Sequence, residues 1–250
     1  MDRINAFIEN GGKILAMGEG IFKNQEPLFD IGANYLGKAN FDVDYTLVNE
    51  DLSDDMVQSP FLNYGPALRL EAENKTEILA RIREPYFSRT LSHYCSHKNT
   101  PYTLEDASHP AVIRNGNIVY IAHDLDRQYY AEGAQLHRDL FFNALSLLRK
   151  APFVEVEMPS MGRINLMQQA EKNRYVLHLL YAVPIQRGSV SVIEDLVPIF
   201  NIPVTIDLDE NIKKAFLIPS GKKLKMEKAG GKIKLIVPEF TCHTGIVLEY

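Results

Sequence analysis

Hydrophobic and polar positions change rhythm along this chain, and each change predicts an element. Ile4, Phe7 and Ile8 share one face of a short helix that Asp2 can cap. Gly11-Gly12 predict its end. Lys13–Met17 then read as a short buried strand before the flexible Gly18-Glu19-Gly20. Helix, glycine stop and apolar strand make a fragment of an α/β unit. Alternation marks strands at 67–71 and 78–83. Ala111–Arg114 and Ile118–Ile121 flank Asn115-Gly116-Asn117, a strong hairpin signal.

From Gly133 to Lys150 the period becomes helical. Leu136, Leu140, Phe141, Ala144, Leu147 and Leu148 form an apolar stripe, and Arg149 and Lys150 suit the helix's C-terminal end. Pro152 lies beyond its stop. After it the pattern predicts short strands at Arg163–Met167, Tyr175–Tyr181, Val204–Leu208, Ala215–Ile218, Lys232–Val237 and Gly245–Leu248. Prolines and glycines punctuate them, as in a β-sandwich. The pattern therefore predicts an α/β domain over 1–152 and an all-β sandwich over 153–250.

Composition sharpens this division. The 250 residues are 46% hydrophobic, enough for a full core, and carry a net charge of −5. Residues 1–150 hold 21 acids and 15 bases, and residues 151–250 hold 11 and 12. The overall sign argues against a nucleic-acid partner. No apolar run is long enough for a membrane helix. The first residues lack the basic start and apolar stretch of a secretory leader, so the chain reads as cytoplasmic. Two cysteines, Cys95 and Cys242, are too few for a disulfide framework. The lysines between 213 and 234 read as protection of strand edges.

The segment from Arg83 to Tyr102 concentrates candidate chemistry. It packs aromatics, histidines, arginines and a cysteine into a stretch without sustained periodicity, and a polar loop of this length is usually functional or interfacial. His93, Cys95 and His97 would share a strand face, but the usual zinc spacings are absent. Cys95 with His93 or His97 as base is a candidate catalytic set. The competing reading makes Cys95 a small buried apolar residue. Glu71, Glu73 and Glu84 could supply paired carboxylates, but nothing ties them to an opposing partner and they read as exposed strand charges. The acidic stretch 40–60, with Asp42 and Asp44, reads as a solvated connection, and His178 between Leu177 and Leu179 as a structural histidine. Gly18-x-Gly20 lacks the rest of a dinucleotide pattern, and no cofactor or metal is implied.

An ordered series of strings carries a family resemblance. It runs through Gly11–Ala16, Glu77–Arg81, Glu84-Pro85-Tyr86-Phe87-x-Arg89, His93–His97, His109–Val112, Gly116–His123, Asn143–Leu145, Tyr175–Leu180 and Val192–Asp195. The chain resembles the C-terminal region of bacterial glycoside hydrolases related to β-galactosidases with a trimerisation domain, including α-L-fucosidase-like relatives.

That resemblance implies a (β/α)8 catalytic barrel, an amidotransferase-like (flavodoxin-like) three-layer domain lacking its nucleophile, and a closing β-sandwich. Here the barrel is missing and the second domain starts partway through, so the chain reads as the latter part of a longer protein. No residue then inherits the glycosidase acid or nucleophile. The expected role is non-catalytic: supporting the barrel, forming a homo-oligomer such as a trimer, or completing a carbohydrate site. Tyr86, Phe87, Arg89, His93, Tyr94, His97 and Tyr102 are the expected contact residues. A Cys95-dependent hydrolase or amidotransferase and a free-standing carbohydrate-binding module are the alternatives.

Overall fold

The computed structural model describes residues 2–149 and 151–250. The chain divides into two compact units, Met1–Lys150 and Ala151–Tyr250.

In the first unit, helix α1 (Asp2–Glu9) leads into strand β1 (Ile14–Met17). Gly11 takes a φ of 80° and ends the helix, as its sequence implies. The capping role read for Asp2 concerns a side chain outside the described ones. After a two-residue hairpin of Phe22–Lys23 with Glu26–Pro27 come β2 (Ala33–Gly37), β3 (Asp44–Val48), β4 (Phe61–Asn63), β5 (Arg69–Ala72), β6 (Glu77–Arg83) and β7 (Pro110–Asn115). Strand β8 (Ile118–Ile121) completes the hairpin that Asn115-Gly116 predicts. Gly116 supplies the positive φ of the turn.

The main sheet has the order β1-β8-β7-β6-β3-β4. β1 and β8 run parallel, and the remaining neighbours are antiparallel. β2 and β5 form a separate pair. The core of the first unit includes the fully buried Leu79, Ile82, Ile113, Tyr120 and Ile121 of the main sheet. β8 is buried along its whole length, which explains its unbroken apolar sequence Ile-Val-Tyr-Ile.

Two helices follow where sequence periodicity predicts one. α2 (Leu125–Glu132) buries only Leu125 and Gln128, so its hydrophobic stripe is too thin to read. Gly133 does not start a helix but ends α2 in the left-handed conformation. α3 (Gln135–Ser146) is shorter than its pattern predicts. Lys150, read as complementing its C-terminus, lies outside the described residues.

The second unit is a sandwich of two four-stranded antiparallel sheets. Its first six strands are β9 (Val154–Val156), β10 (Arg163–Gln169), β11 (Arg174–Tyr181), β12 (Ile185–Arg187), β13 (Val190–Val192) and β14 (Ile199–Ile206). Then come β15 (Lys214–Ile218), β16 (Glu227–Ala229), β17 (Lys232–Phe240) and β18 (Cys242–Glu249). The sheets run β9-β14-β17-β16 and β10-β11-β18-β15, with β12–β13 as a separate hairpin. Leu177, Leu179, Val204, Val237, Ile246 and Leu248 belong to the shared core. Among the described residues no helix is long and apolar enough to cross a membrane.

Gly18 holds the turn after β1 for two reasons. Its φ is 59°, and a Cβ there would run into the Asp124 carboxylate. Gly20 has open space around it. Gly18→Ala is expected to destabilise the first unit by about 2 kcal/mol or more. Gly20→Ala is expected to stay within about 1 kcal/mol of the parent. Urea unfolding of both variants checks this contrast, and equal midpoints would remove the constraint assigned to Gly18.

Candidate functional site

The stretch from Tyr86 to Tyr102 leaves the sheet at the end of β6 and returns before β7. Its neck is narrow. Pro85 and Tyr102 form an isolated antiparallel bridge, Tyr86 N–H donates to Pro101 O at 3.1 Å, and Thr103 N–H donates to Glu84 O at 2.8 Å. This is the closed-end geometry of a compact surface loop. Thr100, 2% exposed, bolts the neck down: its hydroxyl donates to Phe87 O at 2.6 Å. Tyr45 of β3 donates its hydroxyl to Thr100 O at 2.6 Å and packs its ring edge-on against Tyr102.

The tip is open. Leu91 is fully exposed, and Tyr86 and Tyr94 are 60% and 73% exposed. Local bonds shape it: Thr90 N–H donates to His93 O, His93 N–H to Thr90 Oγ1, and Arg89 Nη1 to His97 O. Phe87 and His93 pack at a tilt of 55° with ring centroids 6.0 Å apart. Arg89, Thr90, Leu91 and Tyr94 line a shallow surface pocket.

Cys95 is partly exposed, not the buried apolar residue of the competing sequence reading. The polar surroundings of an exposed loop explain the difference. Its Sγ donates to the carbonyl oxygens of His97, at 3.3 Å, and Asn99, at 3.8 Å. The ring of His93 meets Ser92 Oγ instead. Among the described residues no three His, Cys, Asp or Glu side chains gather to hold a metal.

Beneath the neck lies a polar network that the sequence pattern hides. Asp44, read as part of a solvated connection, has no exposed surface. It opens β3, and its carboxylate is the hub of the unit's interior. Oδ1 accepts from His123 Nε2 at 2.7 Å and Asn63 Nδ2 at 3.1 Å. Oδ2 accepts from Ala67 N–H at 2.8 Å and Arg69 Nη1 at 3.4 Å. Arg69 then reaches Glu84 Oε1 at 3.0 Å, at the loop's entrance. Glu84 is therefore not a free strand charge. The chain His123–Asp44–Arg69–Glu84 ties the sheet interior to the base of the loop.

Burial alone would push the Asp44 carboxyl up. The charge and hydrogen bond of His123, the Ala67 N–H and Arg69 outweigh it and hold the carboxyl below the ordinary carboxylate range. Nearby His137, buried on α3, donates Nε2–H to Leu62 O at 3.2 Å. Desolvation holds its imidazole below the ordinary histidine range, against the carbonyl's opposing pull. His123 Nδ1 and His137 Nδ1 are buried with no hydrogen-bond partner among the described residues.

No protein-family model and no curated protein matches the chain. Among solved structures, the chain is similar over its full length to α-L-fucosidase isoenzyme 2 from Paenibacillus thiaminolyticus, with 27% identity and a TM-score of 0.89. It covers 38% of that protein, so it spans little more than a third of this relative's length. A cycloisomaltooligosaccharide glucanotransferase from Paenibacillus sp. aligns with 53% of the chain and 22% of its own length, at 12% identity. Its TM-score of 0.30 carries no argument.

Two buried groups with depressed values, Asp44 of the network and His137 beside it, make the first unit sensitive to acid. A group whose value is lowered by folding contributes stability above its unfolded value and loses it as pH falls through the folded one. For His137 the loss starts near pH 6.5, and for Asp44 it starts near pH 3.9. The urea midpoint is expected to fall from pH 7.5 to 5.5, with a smaller slope in His137→Gln. Asp44→Asn removes the buried charge beside Arg69, leaves Glu84 as the remaining charge partner of Arg69 and is expected to cost about 3–5 kcal/mol at neutral pH. A flat profile for the parent, or an unchanged midpoint for Asp44→Asn, would contradict this assignment.

Proposed function

We propose that the chain is a non-catalytic region of a glycoside hydrolase acting on α-L-fucosides. The observation that carries this reading is its full-length similarity to a minor part of an α-L-fucosidase. The chemistry of the chain supports it. Asp44 is committed to four hydrogen bonds inside the sheet, and Glu84 is committed to Arg69. Neither is free to protonate a leaving group or attack a sugar carbon.

In this reading the first unit is an amidotransferase-like layer fold. The parallel pair β1–β8 and the helix–strand start of the unit support that assignment. The second unit is the β-sandwich of the same region. The Tyr86–Tyr102 loop is the contact element, toward a carbohydrate site or a neighbouring subunit. It offers exposed Tyr86 and Tyr94 as apolar faces, with Arg89, His93 and His97 as polar partners.

Two measurements test the reading. The chain alone is expected to release no nitrophenol from 4-nitrophenyl α-L-fucopyranoside, and steady turnover would overturn the non-catalytic assignment. Light scattering is expected to show a homo-oligomer, and a clean monomer at high concentration would overturn assembly through this region. Tyr86→Ala with Tyr94→Ala is expected to weaken that association while changing stability by less than about 1 kcal/mol, because both rings are exposed.

A further inference from the structure

His178 and His243 stand together on the second unit. His178 lies on β11 and His243 on β18, which pair antiparallel with His178 opposite Gly245 and Leu180 opposite His243. The two histidines are thus diagonal neighbours on one face of the sheet, within reach of each other's rings. That face is the outer one. Leu177 and Leu179, on either side of His178, point into the sandwich core, as do Ile246 and Leu248 beyond His243. The histidine read from the sequence as structural is therefore partly exposed, and His243 is exposed.

His178 Nδ1 and His243 Nε2 approach to 3.1 Å, with ring planes 14° apart. A contact this short between two imidazole nitrogens requires one to carry the proton and the other to accept it. Shift that proton to the donor ring's other nitrogen and two nitrogen lone pairs converge on one point. Two nitrogens on a tetrahedral zinc, each at the usual bond length, stand about 3.3 Å apart. The observed spacing needs only a few tenths of an ångström of adjustment.

The surroundings leave the pair free for such an ion. Gly245 offers no side chain opposite His178, and Ile218 lies over it, so that flank is apolar. On the other flank Asn165 is the cross-strand neighbour of His178. The cations of this face are engaged elsewhere. Arg163 donates to the carbonyls of Ser160 and Gly162, Arg174 to Gln169, and Lys214 pairs with Glu249.

We propose that His178 and His243 form a two-histidine site for a divalent transition ion, zinc or copper, on the outer face of the sandwich. Imidazole suits both ions. The ion takes the place of the shared hydrogen bond: the donor ring moves its N–H to its other nitrogen by exchange with water, both rings stay neutral imidazoles, and water completes the coordination on the open side. With two protein ligands the site is exchangeable, unlike a four-ligand structural zinc.

Chelator-treated protein titrated with copper(II) chloride tests this directly. One equivalent is expected to bind, with nitrogen hyperfine structure from two imidazoles in the electron paramagnetic resonance spectrum, and zinc chloride is expected to displace it. His178→Gln and His243→Gln are each expected to weaken binding by about tenfold or more and to remove one nitrogen from the spectrum. Circular dichroism verifies that both variants remain folded, as their exposure implies. Unchanged binding in these variants would overturn the proposal. So would loss of binding in His93→Gln/His97→Gln instead, or no binding by the parent at about 1 mM copper, a concentration that a two-imidazole site should fill.

Discussion

The first unit depends on one buried carboxylate. Asp44 has no exposed surface, and a bare charge there would cost far more than a domain's net stability. The fold must therefore deliver donors to it from across the chain. They come from Asn63 at the end of β4, Ala67 and Arg69 around the start of β5, and His123 just past β8. These positions lie between 19 and 79 residues from Asp44. Apolar packing tolerates many near-equivalent arrangements, whereas a network of this kind is satisfied by one. The network fixes where the strand ends sit relative to one another.

Much of the fold is legible in the sequence because alternation is the direct image of a half-buried strand. The β7–β8 hairpin and most strands of the sandwich follow from it. What is not legible has particular physical causes. α2 hides because two buried side chains make no stripe. Asp44 hides because its neighbours Asp42, Glu50 and Asp51 describe a solvated segment, and only tertiary contacts separate it from them. Glu84 looks like a strand-end charge until Arg69, fifteen residues earlier, folds onto it. His178 is a different case. A period of two already places it on the face opposite Leu177 and Leu179, so its outward position was readable. Its partner was not, because the β11–β18 register is set by long-range pairing.

The loop from Tyr86 to Tyr102 poses the converse problem, since an exposed segment must keep a shape without a core. Closing a loop costs entropy that grows only slowly with its length, so length itself is no obstacle. Holding the tip in one geometry is harder, and the structure divides that task. Thr100, Tyr45 and the bridge at Pro85–Tyr102 fix the neck. Short-range bonds among Arg89, Thr90, His93 and His97 shape the tip. Glu84 joins the neck to the interior through Arg69 and Asp44. A charge change at the hub therefore reaches the base of the loop through two ion pairs. By contrast, replacing Tyr94 at the tip disturbs nothing beneath it. The tip is free to vary in what it contacts, and the pedestal determines where that contact is made.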